Sequence, residues 1–441
     1  MSDNRAAHTA LYRTLWRWHF YAGLFVMPFI LILSLTGAVF LFKPQIDRFE
    51  ERNFRGLSTI ATVSPNAQLD AALAAFPGAK FGSYRLPVEP GDAALIHLGL
   101  SDGAMRDVFV SPGGLVVGSL DPDWRIIEIA ASIHRNLLIG KAGGWLVELA
   151  ASWAIVMILT GLYLWWPSGG RLAGVVWPRL SRGKRALWRD IHAVTGFWVS
   201  SFALILLVSG LPWASVWGDA FKAARTELGL VQGKQDWKIG GQHAEHDHNA
   251  MMAMEKANVP LVNLGMIVAK ARSENLDFPV IITPPGEAME WSIKSNTQNR
   301  SNRVTISYDM ATGAELDRQD FASRHVIDRI VGYGIAWHEG ALLGWFNVAV
   351  GVFTAVALIL LMMSGFIMWR KRRPEGGFGA PHLPSVPAHM SGVIVILLGL
   401  ALLLPLLGAS LILLWLIERL ILSRLPRISA WLGLAHRPQA G

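Results

Sequence analysis

The sequence predicts an α-helical membrane protein: about five transmembrane helices built from a duplicated span–domain–span unit, with two small α+β extracytoplasmic domains. Three observations carry this. Runs without Asp, Glu, Lys or Arg, each long enough to cross a bilayer core, occur at Phe20–Phe42, Leu149–Gly170, Ile191–Gly218, Ala341–Trp369 and Met390–Ile417. Basic residues gather in short segments beside these runs. Histidines and small-residue–glycine pairs recur at the same spacing in both halves. The composition agrees, with 52% apolar and only 16% charged residues. With no cysteine, disulfides, thiolate metal sites and cysteine-ligated iron–sulfur clusters are excluded. The net charge of +8 sits beside the spans, so it reads as membrane orientation and not as a nucleic-acid footprint.

Residues 1–42 hold a cytoplasmic N-terminus and the first span, whose apolar run is too long for a cleavable signal and lacks a small-residue cleavage site. Arg5, Arg13 and Arg17 precede it. The first domain occupies 43–144, and the second span runs over 145–170, taking in Glu148 at its edge. A basic loop at 171–190 carries Arg171, Arg179, Arg182, Lys184, Arg185 and Arg189. The third span is 191–218, the second domain 219–340, the fourth span 341–369. Arg370 to Arg373 open a second basic loop, 370–389, and the fifth span is 390–417. The first three basic clusters share one side if the N-terminus is cytoplasmic, which puts 43–144 and 219–340 outside, in the periplasm of a Gram-negative cell. Ser-Pro-Gly-Gly at 111–114 and Thr-Gly at 312–313 are turn signals for folded domains. Arg419, Arg424 and Arg427 in the tail, 418–441, fall outside after a fifth span, against the rule, so an interfacial amphipathic helix is expected there.

The duplication is read from spacing. His19 precedes Gly37 by 18 residues, as His192 precedes Gly210; His134 precedes Gly161 by 27, as His338 precedes Gly365. The glycines follow Thr36, Ser209, Thr160 and Ser364, and Trp165 and Trp369 lie four residues beyond Gly161 and Gly365. A weaker echo links VFVSPGGLVVGSL at 108–120 to ISYDMATGAELDR at 306–318. A parallel repeat implies a pseudo-two-fold axis along the membrane normal. The small-Gly pairs read as close helix packing. Packing does not require imidazole, however. Across the pseudo-axis, His19 faces His192 at the inner edge and His134 faces His338 at the outer edge. Paired neutral imidazoles in an apolar bundle suit the axial positions of a haem iron. Two pairs make two b-type haems, since no Cys-x-x-Cys-His exists for covalent attachment.

Arg17 and Arg189 read first as positive-inside anchors and second as contacts for haem propionates. His389 is an interfacial side chain or an alternate ligand. His243, His246 and His248 in HAEHDH read as a solvated loop, or as a speculative transition-metal site.

The chain resembles the PepSY-associated transmembrane family of bacterial inner-membrane proteins. The likeness rests on RWHFYAG and RDIHAVTG at the span starts, IHRNLLIG and WHEGALLG before the spans, and two PepSY-like segments ending near Ser119 and Asp317. Members include iron-regulated proteins and ferric-siderophore reductases. The resemblance therefore implies a haem-dependent ferric-chelate reductase that releases Fe(II) in the periplasm, with His19, His134, His192 and His338 as haem ligands. No Gly-rich dinucleotide fingerprint is present, so electrons come from a quinol or a separate cytoplasmic reductase. No catalytic acid is assigned, because electron transfer to iron needs none. Two other readings stay open: a PepSY-type binding or regulatory protein with interfacial histidines, and a metal transporter using them as a path.

Overall fold

The computed structural model describes residues 2–166, 174–180, 183–231, 263–286, 288–381 and 390–434. The histidines at 243, 246, 248 and 389 lie outside them. The chain divides into two compact units. One comprises Met1–Ala38, Ser132–Ala224 and Ala349–Gly441; the other comprises Val39–Ala131 and Arg225–Val348.

The first unit is helical. Its long helices are α1 (Ser2–Phe40), α5 (Gly140–Trp165), α6 (Gly183–Gly210) and α10 (Trp345–Arg372), the last beginning just inside the other unit. Four of five candidate membrane spans fall on them, Thr9–Phe40, Gly140–Trp165, Gly183–Trp213 and Trp345–Arg372. α1 and α6 start well before the apolar runs, because their polar leaders are rich in good helix formers. Pro28 is accommodated inside α1, as prolines are in membrane helices whose neighbours absorb the freed carbonyl.

The fifth apolar run does not form one helix. It breaks into α11 (Ser391–Leu403) and α12 (Pro405–Leu420). Pro405 supplies no N–H, and Leu404 before it is pushed out of the helical region to φ −119, ψ 88. Leu404 and Leu407 bury against Ile155, Val156 and Leu211, and Trp153 Nε1 donates to Ser410 Oγ at 3.1 Å. The chain then turns back. The tail ends in α13 (Pro426–Leu432), where Tyr21 Oη donates to the Leu432 carbonyl at 2.6 Å and Phe378 N to the Trp431 carbonyl at 2.9 Å. Arg419, Arg424 and Arg427 thus return to the end of the bundle that carries Arg17 and Arg372. The fifth candidate membrane span, Pro405–Arg424, falls on α12 and the turn after it.

The second unit is built on one eight-stranded antiparallel sheet in the order β4-β3-β2-β1-β5-β6-β7-β8. The strands are β1 (Lys80–Arg85), β2 (Ala94–Gly99), β3 (Met105–Val110), β4 (Val116–Leu120), β5 (Val280–Thr283), β6 (Glu290–Ser295), β7 (Val304–Asp309) and β8 (Glu315–Asp320). The sequence predicts two separate domains; instead each supplies a four-stranded meander, and the two join through β1 and β5, with Tyr84 opposite Ile282. The pairing removes two edge strands and doubles the sheet that shares a core. One core runs through both halves, with Ile96, Leu98 and Val108 from the first and Ile267, Ile282, Ile293 and Ile306 from the second. Helices α3 (Pro65–Ala75) and α8 (Leu264–Ser273) pack on it, each N-capped by a side chain, Ser64 accepting from Ala67 N and Asn263 from Met266 N. The echo at 108–120 and 306–318 is the β3–β4 and β7–β8 hairpins. Gly114 and Gly313 occupy their turns at φ +84 and +68, where a side chain is strained.

The helix α2 (Lys43–Glu50) and the residue after it hold the sheet through one cation. Arg125 lies 2.8 Å from Glu51, 3.3 Å from Asp47 and Glu50, and 3.7 Å from Asp107. Asp107 also meets His97 Nδ1 at 2.7 Å, and Glu51 meets Arg85 at 2.6 Å.

Candidate functional site

Three histidines of the first unit, His19, His134 and His192, are held in a repeated clasp. His19, on α1, sets Nδ1 3.1 Å from the Met157 carbonyl and 3.2 Å from Thr160 Oγ1 of α5. His192, on α6, sets Nδ1 3.1 Å from the Leu361 carbonyl and 3.1 Å from Ser364 Oγ of α10. His134, at the end of α4 (Ile126–Asn136), sets Nδ1 2.9 Å from Thr36 Oγ1 of α1. The three clasps share one chemistry. Each hydroxyl already donates to a carbonyl of its own helix: Thr160 to Val156 at 2.8 Å, Ser364 to Leu361 at 2.9 Å, Thr36 to Ile32 at 2.8 Å. The hydroxyl oxygen therefore accepts, and Nδ1 must donate. A neutral imidazole with Nδ1–H leaves its lone pair on Nε2, the nitrogen that serves as a metal ligand.

The glycine of each pair makes the room. A Cβ added at Gly161 would lie 3.0 Å from His19 Cε1; at Gly365 it would lie 3.3 Å from His192 Cε1, and at Gly37 3.3 Å from His134 Cε1. Three of the four Thr/Ser–Gly pairs, Thr36–Gly37, Thr160–Gly161 and Ser364–Gly365, are thus imidazole docks on the neighbouring helix. The sequence reading as close packing found their proximity but not their partner. The signal was present, since each pair stands at a fixed offset from a histidine. α1 and α5 each place a pair against the other side of the hairpin: α5 receives His19 and α1 receives His134.

His19 and His192 face each other, their ring centroids 6.3 Å apart and their planes at 87°. A metal held by two imidazole nitrogens at about 2.0 Å each sets the centroids a little over 6 Å apart, so the spacing fits one metal between them. Both rings are only partly buried, and among the described residues neither Nε2 has a hydrogen-bond partner. Two imidazoles are an incomplete set for a bare transition ion. Among the described residues no cluster of three or more His, Cys, Asp or Glu is placed to hold a metal ion.

His338 closes α9 (Val326–His338) in the second unit. Arg17 is buried and stitched to the tail, donating to the carbonyls of Gly433 at 3.0 Å and of Pro381. Its guanidinium is a structural staple. Arg189 is 63% exposed and touches Asp190 at 3.2 Å. Asp190 itself is gripped by Arg179 at 2.6 Å. The two tryptophans that follow the docking glycines do the same job in both repeats, Trp165 Nε1 donating to Val175 O at 2.8 Å and Trp369 Nε1 to Phe378 O at 2.9 Å. Glu148, the lone acid of its span, accepts from the backbone of Val216 at 2.7 Å and Trp217 at 3.1 Å, capping the start of α7 (Ser215–Glu227).

A family model described as the PepSY-associated TM region matches residues 16–372. The chain belongs to that family. The PepSY-associated match takes in both repeats and all four histidines in register, and stops before α11 and α12. A comparison with curated proteins returns no match.

Proposed function

We propose that this PepSY-associated protein is a dihaem b-type electron carrier of the bacterial inner membrane that reduces a ferric siderophore or other iron chelate in the periplasm, releasing Fe(II). The opposed His19–His192 pair carries the reading: two neutral imidazoles, each fixed as the Nδ1–H tautomer, spaced for one metal. When bound, a haem supplies a one-electron Fe(III)/Fe(II) couple. The chain's residues do the rest. Met157 and Leu361 carbonyls orient the rings, as such partners do for metal-ligating histidines. His19 and His192 would hold such a group from both sides, and a metal with no open position would suit electron transfer over oxygen binding. His134, with the same clasp, and His338, its repeat counterpart, are assigned to the outer haem.

The N-terminus is assigned to the cytoplasm. The return of Arg419, Arg424 and Arg427 to the face of Arg17 and Arg372 supports this, because every basic cluster then obeys one rule. Electrons enter at that face from a quinol or a separate reductase. Reducing ferric iron weakens the hold of hard oxygen donors on it.

The test is a pyridine haemochrome assay on detergent-purified protein from haem-replete cells, followed by dithionite reduction under argon and addition of ferric chelates. Two haems per chain and haem reoxidation coupled to a ferrozine–Fe(II) signal support the reading. A protein without haem would overturn it; reoxidation by quinone but by no iron chelate would make it a quinone-linked cytochrome.

A further inference from the structure

One arginine at the basic end of the helical unit is held without a counter-ion. Arg372 closes α10 and is the last residue of the candidate span Trp345–Arg372. Its guanidinium lies over two rings of α1, with Cζ 5.0 Å from the Trp16 centroid and 5.1 Å from that of Phe20. Nη2 donates to the Gly379 carbonyl at 3.1 Å, and Nε is buried with no hydrogen-bond partner among the described residues. Among those residues no carboxylate stands within ion-pair distance of Arg372. Asp190, an acid at this end of the unit, is taken by Arg179 and Arg189. Acids are scarce there by sequence, since residues 4–46, 171–189, 376–389 and 419–441 contain no Asp or Glu. Arg185, near the start of α6, is exposed and acts on Arg372 as a like charge. The ring faces hold and orient the guanidinium, but they do not neutralise it. A partly buried cation with a second cation beside it favours an added anion.

We propose that Arg372 and Arg185 bind the phosphate of one anionic phospholipid, with Trp16 and Phe20 as the floor of the site. The inference is independent of the electron-carrier reading, because it uses neither histidine pair. Three features argue for it. Nη1 of Arg372 makes no hydrogen bond among the described residues, and a planar guanidinium matches phosphate oxygens in shape as well as charge. The depth is also right. Arg372 stands where its span ends, and Trp16, 38% exposed, lies within the span Thr9–Phe40. Tryptophan is favoured at the level of the headgroups, and basic pockets between transmembrane helices receive anionic headgroups. Finally, the site is built once per chain. In the other repeat the same register places Arg189, Ala193 and Ser168 where Trp16, Phe20 and Arg372 stand. Chemistry shared by both repeats does not explain it, and one ligand per chain does.

The experiment is native mass spectrometry of the full-length, detergent-purified protein titrated with phosphatidylglycerol, and with phosphatidylcholine as the lipid of no net charge. The expected result is saturable retention of one phosphatidylglycerol per chain, in preference to phosphatidylcholine. Arg372→Gln should weaken it by about tenfold or more, and Arg372→Lys, which keeps the charge and loses the fork, should restore only part of the loss. Arg185→Gln, a change at an exposed position, should weaken it by about threefold. Arg373→Gln is the control. Its guanidinium already lies over Trp369 and bonds the Gly377 carbonyl, so retention should change by less than about twofold. If Arg372→Gln does not fold by helical circular dichroism, Arg372→Lys and Arg185→Gln carry the test. Equal retention of the two lipids, unchanged affinity in the Arg372 and Arg185 variants, or an equal loss in Arg373→Gln would overturn the proposal, the last by showing attraction to the whole basic face. Inorganic phosphate that displaces the lipid at lower concentration than phosphatidylglycerol binds would assign the site to free phosphate and overturn it likewise. So would loss of haem in step with loss of lipid in Arg372→Gln, which would make these arginines partners of porphyrin carboxylates. A protein without haem that still retains the lipid, with the expected losses in the variants, keeps this site and removes the electron-carrier function.

Discussion

At the scale of single residues, the imidazole clasp makes separable demands on the glycine and on the hydroxyl. A methyl group at Gly161 would stand 3.0 Å from His19 Cε1, inside normal contact, so Gly161→Ala must move the ring. On the proposed function, one haem should be lost or shifted in its reduced-minus-oxidised spectrum while the other is retained. Gly365→Ala should do the same to the same haem, because His192 completes that pair. Unchanged haem content and spectra in both variants would show that the rings hold nothing the glycines protect. The hydroxyls have a milder role. Ser364→Ala removes one acceptor and leaves the Leu361 carbonyl, so haem should stay bound. A lost hydrogen bond of about 1 kcal/mol corresponds to a midpoint shift of tens of mV for a one-electron couple, readable by spectroelectrochemistry. The histidines themselves were legible in the sequence because imidazole is not needed for packing. Their docks were not, because Thr-Gly and Ser-Gly serve helix packing equally well and only the fold shows which ring each receives.

Elements obey the same physics with different outcomes according to what surrounds them. Pro28 and Pro405 are both prolines within long apolar runs, yet α1 continues through the first and the fifth run breaks at the second. Sequence alone does not separate them. What does is the return path: Leu404 and Leu407 are buried against α5 and α6, and the tail is tied to Tyr21, Arg17 and Phe378, residues tens to hundreds of positions away. The chain's lack of cysteine makes this directly testable. A membrane-impermeant maleimide applied to spheroplasts should label Ser101→Cys in the β2–β3 turn and spare Ser423→Cys. Labelling of both from one side would refute the return path. The Arg125 cluster gives a second element-scale prediction. Burial raises the Glu51 carboxyl, but Arg85 and Arg125 more than offset it and hold the group below its usual 4.5. Asp107 is likewise raised by burial and lowered further by His97 and Arg125, to a net value below 3.8. A depressed folded pKa contributes stability that is present above the unfolded value and lost as pH falls through the folded one. The sheet unit should therefore lose stability below about pH 4, seen as a falling midpoint of thermal β-sheet circular dichroism. Arg125→Met should remove much of that dependence and cost about 3–5 kcal/mol at neutral pH, because it strands buried carboxylates.

Over the whole molecule, duplication governs both units, and it does so in different ways. In the sheet unit the two meanders fuse edge to edge through β1 and β5, an outcome the repeat left open because a copy may pair with its twin or stand apart. The weak echo between the halves marked the equivalent hairpins but carried no information on which edges meet. In the helical unit the copies instead face each other, and the pseudo-two-fold brings His19 of one to His192 of the other. On the proposed function, that relation makes the strongest statement about the complete protein: a haem between His19 and His192 would belong to neither repeat alone. His19→Ala and His192→Ala should each deplete the same spectral species, and the double variant should deplete no more than either single. Such non-additivity is expected when two groups act as one unit. His134→Ala and His338→Ala should together deplete the other species, leaving the inner haem reducible while abolishing Fe(II) release from a ferric chelate. Redox-resolved spectra of the four single variants decide it. If His19→Ala and His192→Ala remove different haems, each repeat holds its own cofactor and the pseudo-two-fold pairing is wrong. If the variants lacking the outer species still release Fe(II) at the normal rate, the electrons leave by another route.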